Sequence, residues 1–309
     1  MKPKILVICG PTASGKTSLG IKCAKKFNGE IISADSMQIY KKLDIGTAKP
    51  TKEEVSQAQH HLIDIVEPNE QFSAGEYSKL AKDKIIEITS KGKLPIIVGG
   101  TGLYIKSVLY PYTFANAPKD LEIREKYNKI LEKKGKEYLY ELLKEKDIDA
   151  TLKIHANDTK RVIRALEIAE TSQKTKTEQT DKFDEMLYDA TIIVLDIPRE
   201  ELYERINYRV DLMVEDGVVE EIKNLLAKNI VSKDSQSMQA IGYKEFFPYL
   251  ENKGTLIESI ELLKKNTRNY AKRQLTFFRP FKEAKWFNPL TQEKEILDYI
   301  EGRIEANGN

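Results

Sequence analysis

The stretch Ile5-Leu6-Val7-Ile8-Cys9-Gly10-Pro11-Thr12-Ala13-Ser14-Gly15-Lys16-Thr17 decides the fold. Five apolar residues run into a glycine-bounded loop, and Leu19, Cys23 and Phe27 then recur at every fourth position. The segment therefore predicts a strand, a loop and a helix, which is the frame of a phosphate cradle. Loop amides and the positive end of the helix converge on anionic oxygens, Lys16 adds a point charge, and the Thr17 hydroxyl can ligate Mg²⁺. Gly10, Thr12, Ala13, Ser14, Gly15, Lys16 and Thr17 are the candidate phosphate-binding residues. A chance match would need the strand and the helix to be coincidences as well. The loop alone does not say whether the polyphosphate is a nucleotide.

Outward from that stretch, Ile31–Ala34, Pro95–Val98 and Thr191–Ile197 are further short runs rich in Ile and Val, bounded by Gly, Asp or Pro. Such runs suit strands buried on both faces of a parallel sheet, with helices between them. The predicted class is α/β, a P-loop doubly wound parallel sheet with a helical insertion domain and C-terminal helices. The expected boundaries are 1–117 for the first part of the core, 118–188 for the insertion, and 189–309 for the returning strand and last helices. Within the insertion, Leu121–Leu143 has helical spacing broken near Gly135, and Asp158–Thr171 is a second helix behind an Asn/Asp cap. Thr171–Thr180, rich in Thr, Lys and Gln, reads as a loop.

The 309 residues are 40% hydrophobic, enough to build a core, and no apolar run approaches the ~18 residues of a membrane span. The apolar part of the N-terminus is too short for a secretory signal, so a cytoplasmic protein is expected. Cys9 and Cys23 read as buried small hydrophobes, and with His60, His61 and His155 they make no four-ligand zinc site. A net charge of +2 means that an acidic partner is met by local patches.

The second strand-like run ends at Asp35, at the sheet edge where open α/β folds bind ligands. Three roles compete for Asp35: magnesium ligand, general base, or cap of the next turn. The Pro95–Val98 run ends in Gly99-Gly100-Thr101-Gly102, not in the Asp that a P-loop ATPase uses to hold Mg²⁺. That turn brings backbone and the Thr101 hydroxyl close to whatever sits on the loop. Arg205 and Arg209 are four apart on a predicted helix, a repulsion of about 0.2–0.5 kcal/mol that an anion between them would reverse; Glu201 offers Arg205 an alternative partner. Arg161 and Arg164 stand at a helix start, where a cation opposes the dipole by roughly 0.3–1 kcal/mol. Between Leu256 and Lys285 there are eight Lys or Arg against three Asp or Glu, with Lys265, Arg268, Lys272 and Arg279 as a basic stripe opposite Leu256, Ile260, Leu263 and Phe278.

Seven blocks carry a resemblance. They are Gly10 to Thr17, Asp35-Ser36-Met37-Gln38-Ile39-Tyr40, Asp44 to Pro50, Gly99 to Tyr104, Arg161 to Glu167, Ala240-Ile241-Gly242-Tyr243-Lys244-Glu245 and Thr267 to Gln274. In this order they closely resemble the tRNA dimethylallyltransferase family over nearly the whole chain, with Phe277 where a Trp is expected. The chain ends without the zinc-finger extension of eukaryotic relatives, so the bacterial type is expected.

The resemblance implies that the loop holds the diphosphate of dimethylallyl diphosphate, with Arg209 assisting and Mg²⁺ on Thr17, and that ATP is not the substrate. The allyl group would pass to the exocyclic amine of the adenine just 3′ of the anticodon. Asp35 would be the general base, with Thr101 beside the reacting groups. The implied tRNA-binding residues are Asp35, Ser36, Met37, Gln38, Thr101, Arg161, Arg164, Gly242, Tyr243, Lys244, Arg268 and Lys272. Tyr243 and Lys244 would suit a splayed loop base of the anticodon stem-loop. A monomer with no membrane partner is expected. Two other readings remain: a small-molecule or nucleotide kinase sharing the loop and the Asp, and a non-catalytic RNA-binding module that leaves the loop unexplained.

Overall fold

The structure, a computed structural model, describes residues 2–112, 120–171 and 185–305. Its elements begin with β1 (Lys4–Cys9), α1 (Lys16–Lys26), β2 (Gly29–Ser33), α2 (Lys52–Gln57), β3 (His60–His61), α3 (Ala74–Ser90), β4 (Leu94–Gly99) and α4 (Gly102–Leu109). Three helices follow, α5 (Leu121–Lys146), α6 (Ile148–Thr151) and α7 (Thr159–Thr171). The chain then forms β5 (Asp189–Leu195), α8 (Arg199–Glu215), α9 (Val218–Ala227), α10 (Phe247–Leu250), α11 (Leu256–Phe278), β6 (Ala284–Phe287) and α12 (Glu293–Glu305). Among the described residues no helix is long and apolar enough to cross a membrane.

Two compact units result, one of Met1–Leu109 with Met186–Asn309 and one of Tyr110–Glu185. The first holds a parallel sheet of order β3-β2-β4-β1-β5-β6. β1 is central because its residues are apolar on both faces. Leu6 and Ile8 join Ile31, Ile96, Val98, Ile193 and Leu195 in a core closed by Leu19 and Cys23 of α1 and by Ile296 and Ile300 of α12. Val7, Ile32 and Ile97 alternate to the other face and are also fully buried. The chain leaves β1 toward β2 on one side and returns to β5 on the other, so the carboxyl ends of β1, β2 and β4 surround a topological switch point. Both cysteines are buried and unpaired.

Two short edge strands are absent from the sequence expectation. β3 is two histidines and β6 is Ala284-Lys285-Trp286-Phe287, and neither has the apolar run that marks a strand covered on both faces. They are held by backbone pairing to β2 and β5.

In the second unit, α5 is interrupted at Gly135, whose φ of 82° and ψ of 172° are not helical. Tyr127, Leu139, Leu143, Ile154, Val162 and Leu166 form its core. Glu167 is fully buried there, accepts from the Asp120 amide (2.7 Å) and Arg124 (2.9 Å), and forms an ion pair with Arg164 (2.8 Å). Burial alone would push its carboxyl up, but these partners hold it below the usual range. Arg164 thus has an ionic partner inside the protein, which accounts for a cation at this helix start without an RNA phosphate. Arg161 pairs with Asp158 at 3.2 Å and keeps an exposed side chain. The Thr171–Thr180 loop lies, beyond Thr171 itself, outside the described residues, as does the boundary expected at 117/118.

Candidate active site

The phosphate loop leaves β1 at Gly10 and enters α1 through Gly15, whose left-handed conformation (φ 86°) starts the helix with no side-chain cap. The first-turn amides of α1 are thereby left for a ligand. Ala13 is also left-handed (φ 64°), and alternating backbone handedness of this kind turns successive amides inward. The Ser14 hydroxyl donates to the Pro11 carbonyl at 2.8 Å and braces the loop. Lys16 Nζ folds back on the same carbonyl at 2.5 Å. Burial first, and then the charge of Arg209, lower the Lys16 ammonium to about 8, while Asp35 and Cys9 pull the other way. An anionic ligand would restore its charge.

The Thr12 amide does not point free into the cradle as the loop pattern predicts. It donates to Gln274 Oε1 of α11 at 2.9 Å, and the Gln274 side-chain nitrogen donates to the Gly100 carbonyl at 3.0 Å. A Cβ on Gly100 would collide with that nitrogen, so glycine is required for the close approach. Arg205 Nε donates to the Ala13 carbonyl at 3.0 Å and clamps the loop from α8. Arg209, one turn on, lines the cavity over the loop. Its guanidinium pKa is lowered by burial and by Arg205, against the opposing charge of Glu54.

Asp35 follows β2. Its Oδ1 accepts from the amides of Met37 (2.9 Å) and Gln38 (3.4 Å), the turn-capping geometry weighed above. Burial nevertheless pushes its carboxyl above the usual range, opposed by these two amides and by Lys16. Thr101 Oγ1 accepts from the Ser36 amide at 3.0 Å and so joins the turn after β4 to the one after β2. Tyr270 of α11 lines the same cavity as Asp35 and Gln274, and its hydroxyl is kept protonated by burial and by the nearby Asp35 charge.

These groups share one opening. A cavity of about 1110 Å³ is lined by the loop from Thr12 to Ser18, by Asp35 and Gln38, and by Arg209, Tyr270 and Gln274. A smaller one of about 240 Å³ shares Thr12, Asp35, Arg209 and Tyr270 and adds apolar walls from Met37, Ile206, Val210 and Leu263, with Gly242 at its edge. It offers an apolar slot directly beside a carboxylate and a cation.

Several predicted residues stand elsewhere. Tyr243 is fully buried in a core with Ile39, Leu43, Ile222 and Phe246, so the ring presents no face to a splayed base, a correction to the sequence reading. The reason is its packing on Gly46 and a 2.8 Å bond from its hydroxyl to Glu221. Gln38 uses its amide nitrogen on the carbonyls of Ala48 (3.1 Å) and Thr47 (3.4 Å) and its oxygen on Ser33 (3.2 Å), so it shapes the wall of the cavity it lines. Ser36 and Met37 line the smaller cavity. Along α11, Lys265 and Lys272 are exposed while Leu263 and Phe278 are buried. Arg268 instead donates to Asn207 at 2.6 Å beside the Tyr203 ring. Lys244 and the C-terminal Arg279 are exposed.

Sequence reasoning missed Tyr270, Gln274 and Glu221. The first two were within reach, since they stand four apart in the Thr267–Gln274 block on one helix face.

Residues 38–281 match the profile of the family described as IPP transferase. A Bacillus cereus protein named tRNA dimethylallyltransferase is 50% identical, covering 100% of this chain and 98% of its own. The crystal structure of a full-length tRNA isopentenylpyrophosphate transferase from Bacillus halodurans is 42% identical, with a TM-score of 0.74 over 99% of this chain and 98% of that one. A eukaryotic dimethylallyltransferase solved acting on tRNA is 31% identical, with a TM-score of 0.82 over 98% of this chain and 80% of that one.

Proposed function

The chain belongs to the IPP transferase family and is a tRNA-modifying prenyltransferase, and on that premise we propose how its residues divide the reaction. The donor is dimethylallyl diphosphate, and the acceptor is the exocyclic amine of the adenine just 3′ of the anticodon. The observation that carries this division is the shared cavity. The phosphate loop with Lys16 and Arg209 forms one wall, and Asp35 with the apolar slot forms the next.

The C1–O bond of the donor breaks and its electron pair leaves with the diphosphate. Loop amides, Lys16 and Arg209 stabilise the charge that develops there. The amine forms the new C–N bond and gives up a proton. Its lone pair is delocalised into the ring, so Asp35 as general base assists by typically ~10²–10⁴-fold. The raised pKa of Asp35 strengthens it as a base. Thr101, tied to Ser36, holds the amine or the diphosphate in place.

A divalent cation fits the donor set: Thr17 lines the cavity beside the loop, and the remaining ligands would be diphosphate oxygens and water, the usual habit of Mg²⁺. Bound there by Thr17, it would neutralise leaving-group charge. The deciding experiment supplies tRNA with ATP labelled at its terminal phosphate and, separately, with allyl-labelled dimethylallyl diphosphate. Label from the allyl group on tRNA is expected; label from ATP would mean a kinase.

A further inference from the structure

Glu221, in the first turn of α9, makes a set of bonds that no feature of its local sequence announces. Its Oε2 accepts the amides of Asp44 (2.9 Å) and Ile45 (3.0 Å), and its Oε1 accepts the amide of Gly46 (3.3 Å) and the hydroxyl of Tyr243 (2.8 Å). Three consecutive amides thus converge on one carboxylate, as they do on an anion in a backbone nest. Behind them the buried Tyr243 ring lies so close that a Cβ on Gly46 would sit 2.5 Å from its Cζ. Burial, and then Glu221 itself, keep that hydroxyl protonated and therefore a donor.

The segment held in this way is the wall of the site. Asp44, Ile45, Thr47 and Ala48 line the larger cavity, and Gly46, Thr47 and Ala48 line the smaller one beside Asp35. On its other side the segment is held by Gln38, which donates to the Thr47 and Ala48 carbonyls. Glu221 touches neither the phosphate loop nor Asp35 in this bonding pattern. Its influence on the chemistry can only pass through the segment it holds.

We propose that Glu221, with Tyr243 behind it, is a positioning residue that sets the Asp44–Lys49 segment against Asp35 and so shapes the wall receiving the acceptor base. The proposal rests on the prenyl-transfer reading for its activity readout but not for its structural one. A charge-assisted acceptor with four donors is stronger than a neutral one, so Glu221→Gln, which keeps the shape and loses the charge and one accepting oxygen, loosens the segment.

The test measures amide hydrogen exchange without substrates, then steady-state transfer to tRNA and binding of dimethylallyl diphosphate. In Glu221→Gln, exchange at Asp44, Ile45 and Gly46 is expected to quicken and KM for tRNA to rise, each by about tenfold or more, the consequence of losing one charge-assisted bond. Affinity for the diphosphate stays within about twofold, since the loop is untouched. Tyr243→Phe keeps the ring under Gly46 and moves both readouts in the same direction by less. Unchanged exchange and KM in Glu221→Gln overturn the proposal. So does a variant that fails to fold, or one that loses diphosphate affinity by the same factor as tRNA affinity, because Glu221 is then a structural residue. If the wild-type protein moves no allyl group to tRNA, the functional reading fails, while the exchange result still decides the role of Glu221.

Discussion

The Thr12 amide donates to the Gln274 side-chain oxygen at 2.9 Å across 262 positions of sequence. Because Gln274 also donates to the Gly100 carbonyl, one buried side chain ties the phosphate loop to the turn that carries Thr101. Cutting that tie is the first test of the site. Gln274→Ala leaves an amide and a carbonyl unpaired, each costing about 1–3 kcal/mol where no water replaces the partner. A lower thermal midpoint and a fall in kcat/KM of at least about tenfold are expected, the latter because loop and turn lose their common anchor. Activity unchanged at an unchanged midpoint would show the tie to be dispensable.

Asp35→Asn separates binding from chemistry. The Asn oxygen still accepts from the Met37 and Gln38 amides, so the turn is kept while the base is removed. Turnover is expected to drop by about 10²-fold or more with diphosphate binding retained. The pH profile carries a sign. Burial raises the folded pKa of Asp35, and a base works only when ionised, so single-turnover transfer rises with pH through a point above the ordinary carboxylate range. That acid limb should vanish in the Asn variant. Near-normal single-turnover transfer by Asp35→Asn removes Asp35 from the role of base.

Much of this site is legible in the sequence alone. The loop, the strands β1, β2, β4 and β5 and the position of Asp35 follow from local patterns: an apolar run, a glycine spacing, an acid at a strand end. Local pattern cannot reveal partners brought in from far along the chain. Gln274 and Glu221 act on backbone 262 and 177 positions away, and their own neighbourhoods look like ordinary helix faces. Tyr243 is ambiguous in sequence for the same reason. An aromatic after a glycine suits a stacking platform as well as a core, and only the contact with Gly46 decides between them. Arg164 shows the same limit, because spacing alone does not reveal that its partner Glu167, three residues on, is buried.

Lys16 gives the second pH test. Its folded pKa is lowered to about 8 from an ordinary lysine value of 10.5, so the free protein loses this cation as pH rises through about 8. Affinity for dimethylallyl diphosphate should therefore weaken from below pH 8 to above it. The contribution to stability runs the other way. The unfolded chain holds this proton more tightly, so stability rises with pH between about 8 and 10.5. Lys16→Ala is expected to weaken diphosphate binding and transfer together and to flatten the pH dependence of binding. Normal binding of the allylic diphosphate by Lys16→Ala would mean that the loop cradles something else.

The RNA side is tested by charge. Lys272 is exposed on α11 and Arg161 keeps an exposed side chain, so each is available to a phosphate. Replacing either with Ala is expected to weaken tRNA binding and to flatten its log–log salt dependence by about 0.7 per lost contact to single-stranded RNA. Arg164→Ala should behave differently. It removes one of the partners of buried Glu167, so the loss of about 1–3 kcal/mol appears in the stability of the unit that holds it, with the salt slope unchanged. Tyr243→Phe should likewise leave the slope alone, because the ring is in the core. The measurement is tRNA binding by the four variants across a salt series, with dimethylallyl diphosphate binding as the control for folding. Unchanged slopes for both Lys272→Ala and Arg161→Ala move the RNA surface elsewhere, and a flattened slope for Arg164→Ala returns that arginine to the RNA.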